Sequence, residues 1–558
     1  MRAAIVLWSL ASGATCVFLA AGGCVGNSPG DCASHGSCSS DASDADGSEA
    51  DSSQADRGQG DAAERDAGSM ESAAGREASP DGMSEGGGSR NDAVVCDPTK
   101  SPHDDPCVID NAYGVFVSAS GRDGATGTMA DPLRTLGQGI AAALQRSGRV
   151  YVCQGTYTEQ VVLDAQHDAV SLYGGLDCAA GWRWTGNPSQ AQASGERFAL
   201  RVDATTKPVV VEDMAFSVQD ATGPDDAGVG QSSIAAFVSH ESAGLTLRRV
   251  VLSAGNGADG ASGRGPPPTN WYSPDAGDLQ GNAPDGGTGG VAKDCKCQVW
   301  GDTAGGAGGN AGDLAGDGGP GVASPPANPQ GLSDGTGGAG YPAGTLGSCV
   351  GGREGANGQS RALAADAGPV APGVLSLGGW SPSAGADGLA GNPGQGGGGG
   401  GGGRTGGGGG GGCGGCGGAG GLGGAGGGGS IALLVLDAVL DVQETMFVTR
   451  RAGNGGNGSA GENGSAAGVG NVGSCGGGGG GNGAGGQGGG GGAGGISVTV
   501  LSSAASRITI DSASKLSPGQ AGLGGTPGDG GAAGGSQAAD GMLGIKGPDG
   551  VSQAQLSL

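Results

Sequence analysis

One pattern of apolar and polar positions keeps returning along this chain. Four blocks align without gaps: VVVEDMAFS from Val209, LTLRRVVLS from Leu245, LDVQETMFV from Leu440 and ITIDSASKL from Ile508. Their first and third positions are aliphatic in every case, which is the period-two alternation of a half-buried strand. Each block follows a second alternating segment: FALRVDA, SIAAFVSH, SIALLVLD and ISVTVLSS. Two or three short strands with tight turns, in about 20 residues, make one turn of a stacked repeat. Alternation places Ile431, Leu433, Val435, Leu440 and Val442 inward, against their equivalents above and below. Helical periodicity is scarce. Leu136, Ile140 and Leu144 recur at i, i+4 and i+8 and predict one short amphipathic helix, too little for a doubly wound α/β domain.

Glycine interrupts the strands. It supplies 137 of 558 residues, and its longest block runs over residues 385–429 with one acid, Asp387, and one base, Arg404. Such a block has no side chains to bury and loses the most backbone entropy on ordering, so it must hang on a scaffold or stay unfolded. Three repeated blocks run straight into glycine: SAGNGADGASG after Leu252, RRAGNGGNGSAG after Thr449 and SPGQAGLGG after Leu516. The inserts are therefore expected to leave the repeat at equivalent corners and to lie side by side. Collagen is excluded, because the three-residue glycine period breaks and proline is only 26 of 558. Polyglycine-II fits better: GGX triplets leave two of three helix faces without side chains, so neighbouring chains can approach and bond. The alternative from composition alone is a floppy loop.

The segment from Ala112 carries a resemblance. Gly121, Asp123, Gly127, Thr128, Pro132, Thr135 and Leu136 match a G-x-D…G-T…P-x-x-T-[LI] pattern, and Val150, Val152, Gly155, Tyr157 and Glu159 match V-x-V-x-x-G-x-Y-x-E. Over residues 112–190 the chain resembles the N-terminal capping unit of exported right-handed parallel β-helix proteins, the pectate-lyase-like superfamily. The glycine style resembles that of PGRS-like proteins. The resemblance implies an all-β, right-handed parallel β-helix with an N-terminal capping helix and long glycine-rich inserts. It implies little about activity.

Export is written into the N-terminus. Arg2, an apolar run and AAGGC read as a bacterial lipoprotein signal over residues 1–23, with Cys24 as the lipidated residue; a plain cleaved signal peptide is the alternative. Residues 24–94 form an acidic Ser/Asp/Gly tether without apolar periodicity. Residues 27–94 hold 15 acidic residues against 4 arginines. The whole chain carries −26, so nucleic acid is an unsuitable partner. The remaining boundaries follow the pattern: a capping unit over 95–190, rungs over 191–253, 429–451 and 495–516, and glycine-rich segments over 254–428, 452–494 and 517–558.

Fourteen cysteines become twelve once Cys16 in the signal and Cys24 are set aside. In an exported chain an even number favours disulfides. Cys32 with Cys38, Cys96 with Cys107 and Cys153 with Cys178 are local candidates. Cys295, Cys297, Cys349, Cys413, Cys416 and Cys475 lie in or beside the inserts with unreadable connectivity; the CKC and CGGC motifs offer four thiolates to zinc as the alternative.

Catalytic signals are thin. Outward strand positions carry Arg248, Arg249, Asp437, Asp441, Gln443, Glu444 and Asp511, which form no repeating column in the sequence and read as solvated strand faces. His35, His103, His167 and His240 are scattered without metal-ligand spacing. No nucleotide motif lies between a strand and a helix, and no cofactor is expected. The expectation is a lipid-anchored outer-surface protein, structural or adhesive, that contacts polysaccharide, matrix or other cells. A polysaccharide lyase or glycoside hydrolase using the groove is the alternative, and a passive spacer the third reading.

Overall fold

The computed structural model describes residues 96–193, 195, 198–266, 279–297, 301–322, 335–341, 348–361 and 371–558. The signal, the tether, Cys24, Cys32, Cys38 and His35 lie outside the described residues. The described chain is predominantly β, with parallel sheets and a single α-helix, Leu136–Ala143. Among the described residues no helix is long and apolar enough to cross a membrane.

Three sheets carry the fold. In the first, seven strands pair in parallel in the order Val115–Arg122, Arg149–Cys153, Ser171–Asp177, Val209–Glu212, Leu245–Arg248, Val439–Gln443 and Arg507–Ile510, and Arg183–Trp184 adds an antiparallel edge. The second is Thr156–Tyr157, Ser189–Ala193, Met214–Val218, Val251–Ser253, Met446–Val448 and Lys515–Ser517. The third is Val161–Asp164, Leu200–Asp203, Ser233–Ser239, Ser430–Leu436, Ser497–Ser502 and Ser552–Ser557. From Arg149 onward the chain visits the sheets in rotation, so strands adjacent in space belong to successive passes.

The register follows the sequence alignment. Val209 pairs with Leu245, Leu245 with Leu440, and Leu440 with Ile508. The inward side chains stack into one apolar cluster that includes Leu172, Val209, Val211, Leu245, Leu247, Leu433, Val435, Leu440 and Val442. Ile431 departs from expectation. It is buried, but it packs with Phe198, Phe237, Leu434 and Trp380 in a separate cluster. An antiparallel hairpin, Gly373–Ser376 with Gly379–Pro382, supplies Trp380 to it. Ala432, Leu433 and Val435 face the main cluster while Ile431 and Leu434 face this one, so alternation breaks at Ala432–Leu433 and the third sheet is apolar on both faces.

The helix covers the first turns, and the residues of the N-terminal pattern position it. Thr135 caps it by accepting from Gln138 N. Glu159 accepts from Leu136 N at 2.8 Å and from Gly137 N at 3.1 Å, which satisfies two donors that the first helical turn leaves open. Buried Tyr157 donates to Cys153 O at 3.0 Å or Val117 O at 3.2 Å. At Gly121 a Cβ would collide with the Pro132 and Leu133 carbonyls, so the loop packs against the strand there only because the position is glycine. Leu144, the last of the three periodic residues, caps the helix C-terminus and stays exposed.

Candidate functional surface

The inserts leave the sheets at one corner. Outgoing arms follow Val251–Ser253, Met446–Val448 and Lys515–Ser517, and returning arms re-enter the third sheet at Ser430, Ser497 and Ser552. Their backbone bonding is dense and periodic. In the second insert Gly480, Gly483, Gly486 and Gly489 donate to the carbonyls of Gly468, Ser465, Glu462 and Ser459 at 2.8–3.0 Å, an antiparallel pairing at every third residue. Between successive inserts the pairing is parallel. Gly412, Gly415 and Gly418 donate to Gly478, Gly481 and Ala484, while Gly455, Gly458 and Gly461 donate to Leu523, Thr526 and Asp529. A three-residue bonding period is that of a polyproline-II-type helix, which makes no bonds of its own and offers its amides to neighbours.

Residues 406–429 sit at the centre. Gly412 donates to the second insert, Gly408 and Gly411 to Gly309 and Gly306, and Cys413, Ala425 and Gly428 to Leu279, Ala261 and Ala258. Each of the three faces bonds a different neighbour. A Cβ at Gly414 or Gly415 would fall on the carbonyl of Gly394 or Ser465. The third phase carries side chains over its middle, at Cys413, Cys416, Ala419, Leu422 and Ala425, whereas at its ends a Cβ on Gly407 or Gly428 would again fall on a carbonyl. Glycine here is the condition for close approach.

Among the described residues five cysteine pairs stand at bridging distance. Cys96 with Cys107 and Cys153 with Cys178 are 5.5 and 5.6 Å apart between Cα atoms. Cys295 pairs with Cys413 and Cys297 with Cys416, at 6.1 and 5.5 Å. Cys349 pairs with Cys475 at 5.8 Å. The CKC motif, on the antiparallel hairpin Lys293–Cys297 with Gly301–Gly305, therefore meets the CGGC motif as two disulfides, not as a ring of four thiolates. Among the described residues no group of three or more His, Cys, Asp or Glu could hold a metal ion.

A second cluster lies on the outer side of the first sheet. Here the sequence reading of the charged positions needs correction. Glu212, Arg248 and Gln443 pair in register as one column. Asp213, Arg249 and Glu444 form another at a corner where all three adopt left-handed φ, between +49° and +54°. Such backbone is uncommon outside glycine. Arg249 binds Glu212 and also Asp213, Nε to Oδ1 at 2.9 Å. Trp184 Nε1 donates to Asp213 Oδ2 at 2.9 Å. Arg248 Nε donates to Gln443 at 3.0 Å, and its guanidinium lies 3.6 Å from Asp104. Asp437, Asp441, Glu444 and Asp511 remain partly or fully exposed.

Three carboxylates and two arginines meet the composition of an acid/base site, yet their burial opposes that use. Glu212 is fully buried and Asp213 nearly so. The segment closed by Cys96 and Cys107 lies against the cluster: its Asp104 is 3.6 Å from Arg248, and its His103 packs edge-on against Trp184, which donates to Asp213. Arg149 fixes the segment by donating to the carbonyls of Pro98 and Lys100. Burial raises the Glu212 pKa against the attraction of Arg249. Burial works to lower the Arg249 pKa, but hydrogen bonding to Asp213 and the charges of Asp213 and Glu212 raise it. Tyr151 is pushed up to about 12 by burial. Both carboxylates are held against Arg249 instead of facing a cleft. The signal for this cluster was present in the fourth and fifth positions of the aligned blocks.

His103 and His240 lie beside Asp104 and Asp203, and His167 beside Asp164, each as a separate pair. In comparison with known proteins, no family model matches the chain, and no curated protein or solved structure matches it.

Proposed function

We propose that this chain is a cell-surface structural or adhesive protein, anchored by a lipid on Cys24. A right-handed parallel β-helix of the pectate-lyase-like kind carries a polyglycine-II bundle built from its own inserts. The rotation of the chain through three parallel sheets supports the β-helix reading. The observation that carries the function is the bundle: inserts from successive turns bond backbone to backbone and give a large, stiff surface poor in catalytic side chains. Such a surface suits weak, repeated contacts with polysaccharide, matrix or other cells, where affinity comes from multiplicity.

The test pairs adhesion with turnover. Residues 452–494 are replaced by a short Gly–Ser turn, which keeps Met446–Val448 and Ser497–Ser502. Cells carrying this variant should adhere less, and the purified protein should cleave no acidic or neutral polysaccharide. Unchanged adhesion leaves only a spacer. Depolymerisation abolished at a single acidic residue of the first sheet establishes the enzyme instead. A Cys24→Ser variant should leave the membrane fraction, and unchanged membrane partition would exclude this anchor.

A further inference from the structure

We propose that a row of asparagine amides on the outgoing arm of the second insert is the contact surface for an uncharged, hydroxyl-rich polysaccharide. This rests on the adhesive reading above and names the residues and ligand chemistry of that surface. The row is Asn454, Asn457 and Asn463. In each, the side-chain oxygen accepts a backbone N–H of the third insert: Leu523 at 2.9 Å, Thr526 at 2.9 Å and Ala532 at 2.7 Å. An N–H can be received only by the amide oxygen, so these bonds fix the orientation of each side chain. With Oδ1 tied to the next layer, Nδ2 is the atom left to face away from that bond.

The layout fits an extended polymer. The three residues share one phase of the three-residue period, so neighbouring triplets lie about 9 Å apart along the arm. Asn457 and Asn463 are exposed and Asn454 half-buried. The flanking arms run parallel and carry exposed Asp259 and Ser262 on one side and Thr526 and Asp529 on the other. Asp259 and Ser262 accept from Asn454 N and Asn457 N, so the same side-chain-to-backbone ladder continues across layers. The result is a face with repeated side-chain donors, with Leu523 exposed beside them on the flanking arm. Sugar hydroxyl and ring oxygens are acceptors in matching abundance. An uncharged polymer is the fitting partner, because a chain of −26 repels a polyanion.

Asparagine-to-aspartate exchange isolates the proposed atoms. Aspartate keeps the oxygen that accepts the inter-layer N–H and replaces the Nδ2 donor with an acceptor. The triple variant Asn454→Asp, Asn457→Asp and Asn463→Asp is made in the full chain, with Ala460→Asp on the same ridge as a charge control. Binding to insoluble cellulose and to soluble dextran is measured, with alginate as the acidic arm. Hydrogen exchange of residues 518–532 reports whether the bundle is intact. With exchange unchanged, the triple variant should bind the neutral polymers at least about tenfold more weakly, while Ala460→Asp binds as the parent does. Equal binding by the triple variant and the parent overturns the proposal, as does an equal loss in Ala460→Asp. A parent that binds neither neutral polymer, or binds alginate more tightly than both, overturns it as well. If that happens while the 452–494 replacement still lowers adhesion, the donor row alone has failed. If the replacement leaves adhesion unchanged, the adhesive reading has failed with it.

Discussion

The three sheets and the glycine bundle are built by the same passes of chain, yet opposite things hold them. In the sheets, side chains carry the order: Leu245, Leu440 and their neighbours fill a dry interior, and removal of volume is what harms it. In the bundle, backbone amides carry the order, and addition of volume is what harms it. A chain can therefore be a quarter glycine and still be ordered, provided a scaffold fixes where the glycine segments start and end. Each insert is tethered at both ends to neighbouring strands, which lowers the entropy of bringing the arms together. Three disulfides inside the bundle add to that constraint.

The largest expected effect tests the sheet side. Leu440 is 2 % exposed and stacks between Leu245 and Ile508. Leu440→Asp would bury an uncompensated carboxylate at a cost of several kcal/mol, and thermal unfolding should show a large drop. Asp441, next along the strand, alternates outward, and Asp441→Asn should melt close to the parent. If both variants melt alike, the register of the first sheet is misassigned.

That register was legible because a repeat tells its own alignment. The four blocks pair strand to strand as their sequences align, and the short helix lies where its period placed it. Ile431 shows where the signal stops. Its strand is apolar on both faces because a hairpin more than 45 residues earlier in the chain packs on the outside, and alternation carries no information about such a cover. The charged cluster shows a different limit. Glu212, Asp213, Arg248 and Arg249 were visible as residues, and the aligned blocks even placed them in columns. What packs against them is the Cys96–Cys107 segment, a contact across more than 100 residues that no local pattern encodes. The cysteine pairing between CKC and CGGC was hidden for the same reason. The bundle lay between these cases: triplets announced which faces could approach, but only the neighbours decide which glycines are indispensable. Residues 385–429 include the central arm of the bundle, so their removal would unmake the surface and not merely trim it.

The bundle side makes a sharper, intermediate prediction, because three consecutive glycines should behave differently. A Cβ on Gly478 would fall on the carbonyl of Arg353, and one on Gly480 on the carbonyl of Cys413. A Cβ on Gly479 would meet nothing closer than 3.6 Å. Gly478→Ala and Gly480→Ala should each cost about 1–3 kcal/mol or more by overpacking against backbone that has no rotamer to yield. Gly479→Ala should be neutral or mildly stabilising, since alanine restricts the unfolded chain. Native hydrogen exchange of residues 406–429 and 475–496 would read all three. Equal tolerance at the three positions would mean a loose glycine segment without the three-residue bonding period.

The smallest effect separates the two regions by acid. In the bundle, Asp549 accepts from Gly524 N and lies 3.0 Å from Lys546 Nζ, which together hold its pKa below the usual value. Asp220 is held low in the same way by the backbone and side-chain bonds of Asn256. A carboxylate with a lowered folded pKa contributes stability that is present above its unfolded value near 3.8 and is lost as pH falls through the folded value. Glu212 and Glu241, buried at the corners of the sheets, have raised values and the opposite sign. Their unfavourable contribution is absent below about 4.5, grows as pH rises from there toward the raised folded value, and is fully present above it. Asp511, beside the first sheet, is also held low by its bond from Ser514, and Asp203, in the third sheet, is held low against its burial by bonds from Ser239 and His240, so passage below 3.8 should loosen both regions. Acidification from pH 6 toward pH 4.5 should instead leave the bundle unchanged and slightly firm the sheets. Hydrogen exchange of residues 518–551, compared with the Leu245–Arg248 and Val439–Gln443 strands at matched intrinsic rates, would show the difference. An equal response of both regions between pH 6 and pH 4.5 would mean that the sheets and the bundle unfold as a single unit, and the contrast between side-chain order and backbone order would have no thermodynamic counterpart.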